Sequence, residues 1–334
     1  MNRSLLLYSY RMFVLFIGLS MLSCAHVTVK YENMWDAIVA EDIGAIEKFL
    51  SNGVDPNSGR ESDNRLPLMH ATLHANANVV KLLIDSGADV NGSDGVGNSC
   101  LMTAAFLGAV DCVQALIAGG ANLFHRNVIG EDVMDAVAVN WRMTNYYANE
   151  IYRLGVTREA VDAGRDKVRP ILLEAQEQAA EQDIWVALVL DRLDLVKSHL
   201  AEVDDIATIV DTEGSPILVA ASALGQVETV KYLLQAGADI ESRDAFGSTS
   251  LFVAALFGHE EVAKVLLEND ADFFTVNYQG TDLNEALKLD WDVTNGIAVA
   301  IGLSLEEEEL KKARTTVRDL IIAQRDAQSS GDSQ

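Results

Sequence analysis

Two adjacent stretches superimpose without a gap. Residues 211–243 read DTEGSPILVAASALGQVETVKYLLQAGADIESR, and residues 244–276 read DAFGSTSLFVAALFGHEEVAKVLLENDADFFTV, a period of 33 from Asp211 to Asp244. Each runs Asp-x-x-Gly, a short apolar segment ending near a Gly, a longer amphipathic segment, and Ala-Asp. Gly214 and Gly247 sit where the opening turn needs a residue without a Cβ. Val230, Leu233 and Leu234 have the i, i+3, i+4 spacing of one buried helix face, and one unit on Leu266 and Leu267 take the places of Leu233 and Leu234, with Val262 one turn before Leu266. The small Ala221, Ala254 and Ala255 let a neighbouring helix pair approach closely. A fixed period of this length predicts a stack of identical units rather than a globule with one central core.

The pattern resembles the ankyrin repeat, a β-turn followed by two antiparallel helices. The resemblance implies an all-α ankyrin-repeat solenoid that grips another protein without catalysing anything. Further units match it. Residues 33–57 look like a terminal unit that lacks its opening turn, as expected of a capping repeat. LPLMHATL (66–73) and VVKLLIDSGADVN (79–91) lie close to the family's Thr-Pro-Leu-His and Gly-Ala-Asp signatures. A third unit covers 94–126, and a fourth keeps Gly130 before degenerating.

A longer period overlies the short one. Trp35 and Trp185, Trp141 and Trp291, Gly97 and Gly247, and Gly108 and Gly258 each stand 150 positions apart. The chain therefore reads as two four-unit arrays related by an internal duplication of about 150 residues. The expected organisation is a signal peptide (1–23), a first array (27–156), a helical connector (157–182), a second array (183–304), a C-terminal capping helix (305–326) and a disordered tail (327–334). Within the connector, Pro170 suggests two helices, the second beginning at the proline.

The N-terminus carries Arg3 and Arg11 and an apolar run over 12–22. That run is about half the ~20 residues a spanning helix needs, so a signal peptide is the better reading. Two cleavage readings compete. Met21-Leu22-Ser23-Cys24 resembles a bacterial lipobox, with Cys24 lipidated, and Ser23-Cys24-Ala25 fits an ordinary small-x-small site. The lipoprotein reading is favoured, with Ala25 implying outer-membrane sorting and a periplasmic location. The alternative is a soluble secreted or periplasmic protein. With 50 acidic against 25 basic residues and a formal charge of −25, the chain repels phosphate backbones, so nucleic acid is excluded as a partner.

Signals for chemistry are thin. His70 and His74 are four apart on one helix, half of a zinc pattern with no third ligand nearby, so no metal is expected. No nucleophile–base constellation and no cofactor signature are evident, so no enzyme is expected. Cys100 and Cys112 are read as small buried side chains rather than a disulfide, since their counterparts are Ser250 and Val262. His259 is read as a hydrogen-bonding residue at a helix start, and the tryptophans as structural residues at array ends.

The resemblance places a second group on the concave face. Phe106 and Leu107 precede Gly108, Leu256 and Phe257 precede Gly258, and Leu224 precedes Gly225. Phe246 and Tyr278 lie in turns, and His74 faces a groove. About half of these are expected to be partly exposed and to anchor a partner, bordered by Asp63, Glu213 and Asp244. The expected role is a monomeric, lipid-anchored scaffold binding another cell-envelope protein. The alternative is an inhibitor that plugs a periplasmic hydrolase.

Overall fold

In the computed structural model, which describes residues 31–60 and 65–331, the repeats open on turns whose shape follows from their Asp, Asn and Gly residues. Asp244 Oδ1 accepts the backbone N–H groups of Phe246 and Ser248, both at 2.8 Å. Asp94 serves Val96 and Asn98, and Asp211 serves Glu213 and Ser215. Asn127 and Asn277 do the same in their own turns. A short side chain thus replaces missing backbone partners. The glycine three positions on adopts positive φ, +79° at Gly247, which only Gly takes without steric cost.

The chain divides into two compact units, Met1–Asp89 and Val90–Gln334. In the first, α1 (Met34–Val39) pairs with α2 (Ile43–Ser51), and α3 (Pro67–Leu73) pairs with α4 (Ala77–Asp85). Asp42 and Asn76 cap α2 and α4 by accepting from Ala45 and Val79. Ile38, Ile46, Leu68 and Leu83 form the buried layer.

The second unit continues with α5 (Cys100–Leu107), α6 (Val110–Ala118), α7 (Val133–Ala138) and α8 (Trp141–Asn145), which runs into a π-helical turn, Tyr146–Ile151. Then come α9 (Arg158–Gln182), α10 (Ile184–Val189), α11 (Leu193–Leu200), α12 (Ile217–Ala223) and α13 (Val227–Gln235). The chain closes with α14 (Ser250–Phe257), α15 (Glu260–Glu268), α16 (Leu283–Ala286), α17 (Trp291–Ala300) and α18 (Glu307–Gly331). Inner helix α14 is buried along its whole length, because it is covered on every side by α12, α15, α16 and α18. Outer helix α15 buries Val262, Leu266 and Leu267 and exposes Glu261, Lys264 and Glu268, as one-sided packing requires.

A ladder of side chains joins successive repeats of the second array. Gln226, at the start of α13, donates to the carbonyl of Leu188. His259, at the start of α15, bonds through Nε2 to the carbonyl of Ala223 at 2.8 Å. It therefore bridges repeats instead of capping its own helix. Arg314 of α18 makes the next rung, donating from Nε and Nη2 to the carbonyl of Leu256.

Arg314 also donates to the Leu289 carbonyl and to Thr294 Oγ1. The same four bonds recur in the first half, where Arg165 of α9 donates twice to the Phe106 carbonyl, once to the Val139 carbonyl and once to Thr144 Oγ1. The two long helices bury matching stripes, Val161, Arg165, Val168, Leu172 and Leu310, Arg314, Val317, Ile321. Both stand where a fourth repeat's outer helix would stand. Because α9 packs on α5, α6 and α7 and also on α10, it is shared by both arrays.

Several expectations are corrected. The connector is one helix, not two, with Pro170 in its interior, because the buried stripe runs through the proline. Helix α18 continues to Gly331, through Ser329 and Ser330, which were expected to be disordered. Cys100 and Cys112, by contrast, are the small buried side chains they were expected to be, and burial, assisted by Asp111, pushes the Cys112 thiol up to about 12. The segment over 1–23 that was expected to be a signal peptide, Cys24 and Asp63 lie outside the described residues. No helix among the described residues is long and apolar enough to cross a membrane.

Candidate protein-binding surface

The turn tips of the second array carry large apolar groups held outward by the backbone. Phe246 is 58 % and Tyr278 73 % exposed. Tyr278 N donates to the Phe246 carbonyl at 2.9 Å, and the Tyr278 ring lies over Gly247, where any Cβ would come within 2.6 Å of it. The two tips are thus tied to each other through the backbone. The first half repeats the arrangement 150 positions earlier, with Val128 N donating to the Val96 carbonyl at 3.2 Å and both side chains exposed. Phe274 is also exposed, beside the buried Phe273.

The remaining expected anchors separate. Leu107, Leu256 and Phe257 are buried, contrary to the concave-face expectation. Leu256 and Phe257 pack with Val219, Val253 and Ala298 under Leu289, Leu303 and Leu305, so the chain's own return from α17 covers them. Phe106 is half-buried under the Arg165 guanidinium, 5.3 Å from its ring centroid. Leu224 is half-buried, packs on the second array's core, and lines a cleft of about 1090 Å³ together with His125, Gln226 and Ile301. His74 lies in the first compact unit, half-buried and edge-on to His70 at 4.9 Å. Burial and the Arg65 charge lower its pKa. Burial likewise lowers that of His259. Of the bordering acids, Glu213 is exposed and Asp244 half-buried. Among the described residues no group of three or more His, Cys, Asp or Glu side chains is placed to hold a metal.

A second apolar feature was missed in the sequence although the duplication points to it. Met143, Tyr147 and Ile151 are exposed on the fourth repeat of the first half, and Val293, Ile297 and Ile301 occupy the same positions in the second. Comparing the halves at a shift of 150 would have revealed both this stripe and the Val96–Val128 tips.

The family model for ankyrin repeats in three copies matches residues 34–127 and again 184–277, more than half of the chain. The chain belongs to the ankyrin-repeat family. The two matched segments start and end 150 positions apart, so each half of the duplication is an ankyrin array in its own right. The chain is 28% identical over 178 residues to Ankyrin repeat and SAM domain-containing protein 6 of Danio rerio, which accounts for 53% of this chain and 22% of that protein's length. The human ASB11 ankyrin repeat domain aligns over 83% of this chain and 100% of its own, at 20% identity and a TM-score of 0.30.

Proposed function

We propose that this ankyrin protein is a non-catalytic scaffold that captures a partner protein on its exposed turn tips rather than on its inner helices. The observation that carries the reading is the Phe246–Tyr278 pair, two large apolar side chains exposed yet locked by a backbone bond. Rigid aromatic groups lose little side-chain entropy on contact, which suits them to be anchors. Of the inner-helix residues that could have served instead, Leu107, Leu256 and Phe257 are buried. The segment over 1–23 and Cys24 supports placing the scaffold in a bacterial envelope, as a monomer held to the outer membrane by lipid on Cys24.

Phe246→Asp with Tyr278→Asp should abolish capture of the envelope partner while far-UV circular dichroism stays unchanged. Undiminished capture by that variant overturns the tip assignment. Cys24→Ala should release the protein from membranes, and membrane retention of the variant overturns the anchor.

A further inference from the structure

The two halves differ in chemistry at four turn-edge positions, Glu241, Phe246, Asp272 and Tyr278, whereas Asp239 and Phe274 have identical counterparts in Asp89 and Phe124, and the difference identifies a partner class. In the second array two turn arms run side by side. Asp272 N donates to Glu241 Oε1 at 2.8 Å, Arg243 donates to the Val276 carbonyl at 2.8 Å, and Tyr278 N donates to the Phe246 carbonyl. In the first half the equivalent of the first bond is made by neutral side chains, Asn122 N donating to Asn91 Oδ1 at 2.7 Å. The amide of Asn91 and the carboxylate of Glu241 do the same structural work. The charges on Glu241 and Asp272 are therefore not required by the fold.

The aromatic groups tell the same story. Val96 and Val128 suffice to build the tips of the first half, whereas the second has Phe246 and Tyr278 at those positions. Asp239 and Asp272 are exposed and Glu241 half-buried, and none of the three is in an ion pair among the described residues. The cation of this edge, Arg243, is turned inward. It is held by the Gly247 and Val276 carbonyls and by Thr275 Oγ1, so its charge does not satisfy the carboxylates.

Exposed aromatic faces on the same turn arms as carboxylates outside any ion pair are complementary to a guanidinium. Its flat face stacks on the ring quadrupole, and its donor fork matches a carboxylate. Resting on the protein-binding reading above, we infer that the second array's edge, Phe246, Phe274 and Tyr278 with Asp239, Glu241 and Asp272, takes an arginine-bearing apolar segment of a partner protein. The first array's edge, with Val96 and Val128 and the neutral Asn91 and Asn122, does not.

The test uses the full chain and a fluorescein-labelled peptide of alternating Arg and Leu, with a Glu–Leu peptide as its opposite, followed by fluorescence anisotropy. Phe246→Val with Tyr278→Val, and Glu241→Asn with Asp272→Asn, import residues the fold already tolerates in its first half. The Arg–Leu peptide should bind and the Glu–Leu peptide should not. Each double variant should weaken binding about tenfold, the scale of one or two desolvated cation–π or charge-assisted contacts. Glu159→Gln with Asp166→Asn removes the same charge from the exposed face of α9 and should weaken it less than about twofold, as screened distant charge does. Equal losses from the two charge-removing pairs would mean that only net charge attracts the peptide, and would overturn the assignment. No binding of the Arg–Leu peptide would also overturn it. In that case the broader reading stands if Phe246→Asp with Tyr278→Asp still abolishes capture of the envelope partner, and falls with it if capture persists.

Discussion

Arg314 donates to the Leu256 carbonyl from both Nε and Nη2, at 3.0 and 2.7 Å, reaching across from the last helix to the end of the last inner helix. The cradle is neutral throughout, three groups being two carbonyls and the Thr294 hydroxyl, and burial lowers the guanidinium's pKa. Leu256 lies in the final turn of α14, where carbonyls lack intrahelical partners and the helix dipole favours a cation. Arg314→Met fills the space but leaves those acceptors unsatisfied, and should destabilise the protein by about 2–4 kcal/mol in chemical denaturation. Arg314→Lys should recover little, since a point donor cannot span three acceptors. A Lys variant as stable as the parent would show that the charge, not the fork, matters.

Gly164 and Gly108 are in closer contact than their counterparts. A Cβ on Gly164 would stand 2.2 Å from the Gly108 carbonyl oxygen, whereas in the second half Ala313 faces Gly258 with room for its methyl group. Gly164→Ala should therefore lower the melting temperature despite the better helix propensity of alanine, through a backbone displacement costing about 1–3 kcal/mol. Ala313→Gly should cost only about 1 kcal/mol, the helix-propensity difference. Similar losses from both would show that α9 can shift freely.

Pro170 lies exposed in the interior of α9. It withholds the N–H that would bond the Asp166 carbonyl, and interior proline is about 3 kcal/mol worse than alanine in an ordinary helix. Pro170→Ala should stabilise the protein by about 1–3 kcal/mol, read as a rise in denaturation midpoint. No gain would mean that a local bend at Pro170 is part of the packing of α9 against both arrays.

His259 gives the stability a pH dependence. Its neutral ring donates to the Ala223 carbonyl, and burial holds its folded pKa below the ordinary 6.5. Above that value both folded and unfolded chains carry a neutral ring and stability is full. As the pH falls below it, the unfolded chain binds the proton first, and stability is lost until the folded pKa is reached. His259→Gln keeps a donor at this rung, as Gln226 does one repeat earlier. The stability advantage of the parent over this variant should shrink between about pH 7.5 and pH 5. The lowered His74 pKa acts in the same direction but is common to both proteins and cancels. A difference that does not change with pH would show that His259 titrates alike in the folded and unfolded chains.

Much of the architecture was legible from local pattern. The Asp-x-x-Gly turns, the paired helices and the 150-residue duplication all rest on interactions within a few residues. Asp244 reaching Phe246 and Ser248, or Leu266 and Leu267 sharing a helix face, needs no distant partner. Phe246 and Tyr278 were found for the same reason, since a turn tip projects from the stack whatever packs behind it.

The rest depended on which parts of the chain fold back on which. Leu256 and Phe257 have the same apolar character as Phe246 but are buried, because the segment from Leu303 to Leu305 returns over them. Pro170 reads as a helix start in isolation and becomes a helix interior because Val161, Val168 and Leu172 must stay on one line against both arrays. Arg165 and Arg314 look like ordinary helix-surface cations in the sequence, yet each is buried at the centre of a neutral cradle. Local pattern determined the repeating unit. Tertiary packing decided which apolar residues remain for a partner, since burial depends on surfaces far apart along the chain.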